Sequence, residues 1–173
     1  MTQVKQHNVY SPYTIVELNL DIPPKYKEKC INEIYRIGDS MNNETNVKAT
    51  MSSWKIWNES KVFDSLINVI GKQSAYYFIK DKRAKITLHS AWSAIYKKGN
   101  YTKRHQHVPS FVSFVYYLKS SGETPLVFDD VDFQINPKDD TLVIFPSHIY
   151  HSVPMHESEE DRICLAGNFL MII

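Results

Sequence analysis

Long apolar runs are missing from this chain: no stretch approaches the ~18 consecutive apolar residues of a membrane-spanning helix. The opening MTQVKQHNVYSPYT has no apolar core of signal-peptide length either. Membrane insertion and secretion are therefore not expected. Cysteine is scarce, with Cys30 and Cys164 far apart, and two distant thiols make no disulfide framework. That points to a reducing, cytoplasmic setting. Charge of one sign is also lacking, because 20 basic residues stand against 19 acidic ones, leaving a net +1 with no long block of either. A broad nucleic-acid footprint is not indicated. Internal repeats and low-complexity segments are absent as well.

What remains is ordinary globular composition, 43% hydrophobic and 23% charged. The 173 residues suit one domain, large enough to bury roughly two thirds of its unfolded surface. Residues 1–84 read as a mostly helical lead-in. A short strand is expected over Thr14 to Leu20, and Pro23-Pro24 opens a helix over Lys25 to Ile37, with Cys30, Ile34 and Ile37 at helical spacing. The Asn-, Ser- and Thr-rich stretch Asp39 to Ser53 reads as a loop, and a second helix is expected over Val62 to Ile79 with Phe63, Leu66, Ile67 and Ile70 inward. From residue 85 the texture changes to β-rich runs parted by turn residues: ITLHSAWSAIY, SFVSFVYYL, PLVFDDVDF, TLVIF and ICLAGNFLMI. The expected fold class is α+β, a jelly-roll core over 85–173 with the helices packed outside.

Lys103-Arg104-His105-Gln106-His107 leads into a strand, and in an extended segment His105 and His107 project to the same face. Alone, such a pair is more often a surface feature than a metal site. A third histidine changes the balance. His151 follows the apolar strand Thr141 to Phe145 and the turn Pro146-Ser147, so it enters from a separate strand. Three ligands arranged this way occupy one face of an octahedron and leave the other positions open, as non-heme iron(II) oxygen chemistry requires. Arg162 heads the apolar strand ICLAGNF, where a guanidinium could pair bidentately with a carboxylate inside the barrel. Its bland reading is an exposed end to the charged run Glu157 to Asp161.

From Trp92 to Phe169 the order of these pieces resembles the iron(II)/2-oxoglutarate-dependent oxygenases, especially the prolyl-hydroxylase-like branch and a bacterial and phage group within it. The pieces are Ala94-Ile95-Tyr96 with Gly99, His105-x-His107, Ser113-Phe114-Val115-Tyr116-Tyr117-Leu118, Leu142 to Ser147, His151-Ser152-Val153 and Arg162. The resemblance implies a double-stranded β-helix, with Fe(II) and 2-oxoglutarate as cofactors. It makes His105 and His151 iron ligands and Arg162 the partner of the distal carboxylate of 2-oxoglutarate. Tyr96 and Tyr117 would add hydroxyl hydrogen bonds to the cosubstrate, with Ser113 on the same strand face as Tyr117. The superfamily ordinarily has a carboxylate where His107 stands, whereas the bacterial and phage group commonly has His-x-His. A neutral third imidazole leaves the iron more positive by one charge.

Alternatives stay open at this point. Asp129, Asp130 and Asp132 could supply a carboxylate, although exposed acids are the plainer reading. His148 could compete with His151, while His7, His89 and His156 have no partner at ligand spacing. Trp54 and Trp57 could cover a substrate cleft or pack helices onto the barrel, and the aromatic run Phe111, Phe114, Tyr116, Tyr117 suits a core, with a role for Tyr117 implied only by the resemblance. Three functions compete: a hydroxylase coupling 2-oxoglutarate decarboxylation to C–H oxidation, a three-histidine cupin-type dioxygenase without 2-oxoglutarate, and a non-enzymatic jelly-roll module. With O2 as the other cosubstrate, the primary substrate could be a protein side chain, a nucleobase or a small molecule, because loops set specificity in such barrels.

Overall fold

Proline at the first helical position costs no hydrogen bond and pre-sets φ, which is why Pro24 opens α1 (Pro24–Ile37) behind an extended Pro23. The helix stops at Gly38, whose φ of +67° suits a residue without Cβ and whose N–H reaches Ile34 O at 3.1 Å. This computed structural model describes residues 4–10, 13–42 and 44–173. Before α1 lie β1 (Val4–Tyr10) and β2 (Tyr13–Asn19). After it come β3 (Val47–Lys48), β4 (Thr50–Met51), α2 (Ile56–Glu59), a 3-10 turn at Lys61–Phe63 and α3 (Asp64–Phe78). The β-rich half holds β5 (Lys85–Tyr96), β6 (Tyr101–His105), β7 (Val112–Lys119), β8 (Leu126–Phe128), β9 (Phe133–Ile135), β10 (Thr141–Pro146), β11 (His151–Val153) and β12 (Arg162–Ile172). No helix among the described residues is long and apolar enough to cross a membrane.

The strands form two antiparallel sheets, ordered β1-β2-β10-β7-β12-β5-β4 and β3-β6-β11-β8-β9. This is the expected jelly roll with helices outside. The large sheet is covered on both faces, so its strands lose the alternation of a half-exposed sheet and read as continuous apolar runs. On β5, Trp92, Ala94 and Tyr96 point between the sheets, while Ala91 and Ile95 meet the helices. On β10 the division is Val143 and Phe145 inward, Leu142 and Ile144 outward. Cys30, Ile34, Phe63, Leu66, Ile67 and Ile70 form the helical half of the outer cluster, the inward set expected from their spacing. The small sheet shows clean alternation instead, buried–intermediate–buried along both β8 and β11.

Polar ties fix α1 to the large sheet. Tyr116 Oη donates to Asp140 Oδ1 at 2.6 Å, and Lys27 Nζ donates to the other carboxylate oxygen at 2.9 Å. Four details correct the sequence reading. Residues 39–53 are not all loop: Val47, Ala49 and Met51 point inward and β3 and β4 add to the two sheets. The run PLVFDDVDF is a hairpin, β8 and β9, turning through Asp129 to Asp132, where Asp132 takes φ +46°. A first strand β1 pairs with β2, and α2 makes a further helical turn.

Candidate metal and cosubstrate site

β6 and β11 run antiparallel with His105 directly opposite His151, which brings two imidazoles together across the ladder. β6 ends at His105, so His107 lies just beyond the strand and not within it. Its ring nevertheless converges on the others. The ring centroids are 4.4 Å apart for His105 and His151, 4.7 Å for His105 and His107, and 5.0 Å for His107 and His151. One nitrogen from each lies within 4.8 Å of the others, a group that could hold a metal ion.

Two of the rings are oriented from behind. Nδ1–H of His105 donates to Lys103 O at 2.8 Å and Nδ1–H of His151 donates to Ile149 O at 3.1 Å, which leaves Nε2 of each as the free lone pair. Burial pushes all three titrations down, His107 to about 2 and His151 to about 3, and for these two repulsion from neighbouring rings adds to it. At neutral pH the site is three uncharged nitrogen donors. Asp129, Asp130 and Asp132 are exposed and outside this group. Asp130 pairs with Arg104 at 2.6 Å, and Asp129 accepts from Ser152 at 3.2 Å. His148 is exposed against Tyr13, whereas His7, His89 and His156 bond to Glu17, Ser110 and Thr124 respectively.

Arg162 opens β12 opposite Tyr96 and is only 2% exposed, so the bland reading of a surface arginine does not hold. Its guanidinium lies by the rings of Tyr96 and Tyr117, 5.2 and 4.8 Å from their centroids. Nη2 donates to Tyr117 Oη at 3.1 Å, while Nε and Nη1 are buried with no partner among the described residues. A buried cation with unspent donors is costly unless an anion completes it. It lines the same cavity as His105, His107 and His151.

Tyr96 and Tyr117 also line that cavity, their phenols pushed up by burial and therefore neutral. Tyr117 accepts from Arg162 and keeps its own proton for a further acceptor, whereas Tyr96 shares a 2.6 Å hydrogen bond with Thr102. Ser113 is placed differently from its expected role: its hydroxyl bonds Ser147 at 2.8 Å and Asn168 at 2.7 Å, away from the cavity lining. Sequence reasoning missed Thr102, which is buried in the cavity wall beside Tyr96, and Trp92, whose ring lies 5.6 Å from His107. Trp54, 39% exposed, stands edge-on to Trp92 at 4.7 Å, whereas Trp57 packs with the helices.

The donor set and the unpaired guanidinium fit a divalent metal beside a carboxylate. Residues 128–168, which contain His151 and Arg162, match the family model described as "Putative 2OG-Fe(II) oxygenase". Over that stretch the chain resembles the iron(II)/2-oxoglutarate-dependent oxygenases. Solved structures share its fold at low identity. A viral collagen prolyl hydroxylase from Paramecium Bursaria Chlorella virus-1, solved with 2-oxoglutarate, has TM-score 0.69 and 16% identity, covering 92% of this chain and 96% of its own. A Pseudomonas putida prolyl-4-hydroxylase has TM-score 0.65 and 16% identity over 92% and 94%. HygX from Streptomyces hygroscopicus, with nickel and 2-oxoglutarate bound, has TM-score 0.65 and 11% identity over 90% and 82%. No curated protein sequence matches closely enough to count as a relative.

Proposed function

We propose that His105, His107 and His151 hold the iron(II) and that Arg162, with Tyr117, anchors the distal carboxylate of 2-oxoglutarate in a hydroxylase acting on a separate substrate. The observation that carries this reading is the buried guanidinium with two unspent donor atoms in one cavity with three neutral imidazoles. When bound, iron and 2-oxoglutarate supply the oxygen chemistry, in which decarboxylation to succinate is coupled to oxidation of a substrate C–H bond.

The chain's own residues do the rest. Neutral imidazoles bind a cation without first losing protons. The backbone carbonyls of Lys103 and Ile149 keep two of the rings in the tautomer that presents Nε2. Arg162 offers a planar fork that matches a carboxylate, and the neutral Tyr117 hydroxyl can donate beside it. Phe145, Leu126, Val153 and Ala166 line the remainder and keep water from competing for these groups. Trp54 and Trp92 form an aromatic ledge running from the surface to His107. Peptidyl proline is the first substrate to try, since prolyl hydroxylases share the fold.

The test is anaerobic loading with iron(II), then exposure to oxygen while succinate is measured with proline-containing peptides, nucleobases and small metabolites. The expected outcome is 2-oxoglutarate consumption that one class of substrate accelerates. Iron bound without any 2-oxoglutarate response would overturn the reading in favour of a three-histidine dioxygenase.

A further inference from the structure

His107 differs from the other two histidines in how it is held. His105 and His151 each sit on a strand and each spend Nδ1 on a backbone carbonyl. The ring of His107 makes no hydrogen bond among the described residues, and no strand carries it. Its ring meets neighbours only by ring contacts, and its hydrogen bonds are those of its main chain. Its N–H donates to Ser147 O at 2.8 Å, and its carbonyl accepts from Ser110 N at 2.9 Å. Ser147 also donates its own N–H to Phe111 O at 3.2 Å, so one residue of the turn after β10 clasps both ends of the segment carrying His107.

Ser147 is wholly buried, and its side chain begins a polar ladder through an otherwise apolar interior. Its hydroxyl meets Ser113 Oγ at 2.8 Å, the Ser113 hydroxyl donates to Asn168 Oδ1 at 2.7 Å, and Asn168 Nδ2 donates to Ser90 Oγ at 2.9 Å. Because Ser113 spends its single proton on Asn168, Ser147 is the donor in the first link. Every link then has a donor and an acceptor, and the chain crosses from the turn after β10 through β7 and β12 to β5. Ser113 and Asn168 are 1% and 4% exposed, where an unsatisfied polar atom is costly, so the ladder is rigid.

We infer that this buried ladder, Ser147 to Ser113 to Asn168 to Ser90, is the positioning device for His107. Ser113 and Asn168 act on the metal site through Ser147, fixing the carbonyl that holds the third imidazole. The inference rests on the ligand set proposed above.

The test uses the full chain, stripped of metal and titrated anaerobically with cobalt(II), reading affinity by chelator competition and geometry from the visible absorption bands. His107→Ala should weaken cobalt, and Ser113→Ala should weaken it about tenfold and alter the bands, as loss of a group supporting a ligand typically does. Ser113→Thr keeps the hydroxyl and should recover most of the affinity. Tyr116→Phe is the control, since it removes another buried hydrogen bond on the helix side and should lower the melting temperature without moving either cobalt readout. If Ser113→Ala does not fold, Ser147→Ala breaks the same link and is read in the same way. Wild-type affinity and spectrum in the folded Ser113→Ala or Ser147→Ala protein would overturn the ladder alone. Cobalt binding that survives alanine at His105 and at His151 would sink the ligand set and the ladder with it.

Discussion

Arg162 holds a full positive charge where water hardly reaches, with two of its donor atoms unspent. Hydrogen bonds to charged groups contribute about 1.5–3 kcal/mol each, and 1.4 kcal/mol is about one decade of affinity. Arg162→Ala should therefore weaken 2-oxoglutarate by roughly tenfold to a few hundredfold. Arg162→Lys keeps the charge without the fork and should fall between. Titration of the anaerobic iron complex, followed by its charge-transfer absorption, measures this, and unchanged affinity in Arg162→Ala would remove the anchor. The histidines make a second prediction at this scale. Burial lowers their titration in the fold, to about 3 for His151 and about 2 for His107, while in the unfolded chain each takes its proton near 6.5. Below 6.5 the unfolded state therefore binds more protons, so metal-free stability is intact above that pH and falls as the pH falls. Melting temperatures of the metal-free protein should drop between pH 6.5 and 5, above the range where ordinary carboxylates titrate. A variant with asparagine at His107 and His151 should show a shallower slope, and an equal slope would place the proton uptake elsewhere.

At the scale of elements, the close approach of β5, β7 and β12 behind the site depends on one missing side chain. A Cβ on Gly167 would lie 2.5 Å from Ser90 O and 2.7 Å from ring atoms of Phe114, so Gly167→Ala must push strands apart. Overpacking of that kind costs about 1–3 kcal/mol or more. Gly71 is the contrast, because its Cβ would meet only the Phe169 ring at an ordinary 3.5 Å. Gly71→Ala should stabilise α3 by up to about 1 kcal/mol. Thermal melts of the two variants should move in opposite directions, and a neutral Gly167→Ala would contradict the packing described. The same elements show what was legible from sequence. β7, β10 and β12 announced themselves because both faces of their sheet are covered there and their sequences are largely apolar runs, and β5 did so through the alternation of its first half and its buried second half. β3 and β4 were masked by Asn, Ser and Thr around the alternation of Val47, Ala49 and Met51, and Asp129 to Asp132 hid a hairpin turn inside what looked like one strand. Strand parity put Ser113 and Tyr117 on one face, but nothing local says that Ser113 finds Ser147 and Asn168 instead of the cavity. The burial of Arg162 was likewise hidden by the charged run preceding it.

For the molecule as a whole, the proposed role of Arg162 sets function against stability at a single position. A buried cation without an acidic partner lowers the stability of the free protein, and even a buried ion pair can often be replaced by apolar side chains of similar volume with no loss or a gain of about 1–4 kcal/mol. Arg162→Leu should thus match or exceed the wild type in melting temperature when no ligand is present, by up to about 2–4 °C for each kcal/mol gained in a chain of this size. Ligand reverses the order. At a concentration one hundred times its dissociation constant, a ligand that binds only the folded state adds about 2.7 kcal/mol. With metal present, 2-oxoglutarate should then raise the wild-type melting temperature by roughly 5–10 °C and leave Arg162→Leu nearly where it was. The metal alone should raise both proteins alike, because the three histidines are untouched by the change. Four melts per protein, with and without each ligand, separate these contributions. If Arg162→Leu were markedly less stable than the wild type without ligand, the guanidinium would be a structural partner of Tyr96 and Tyr117 and not a charge held ready for a carboxylate.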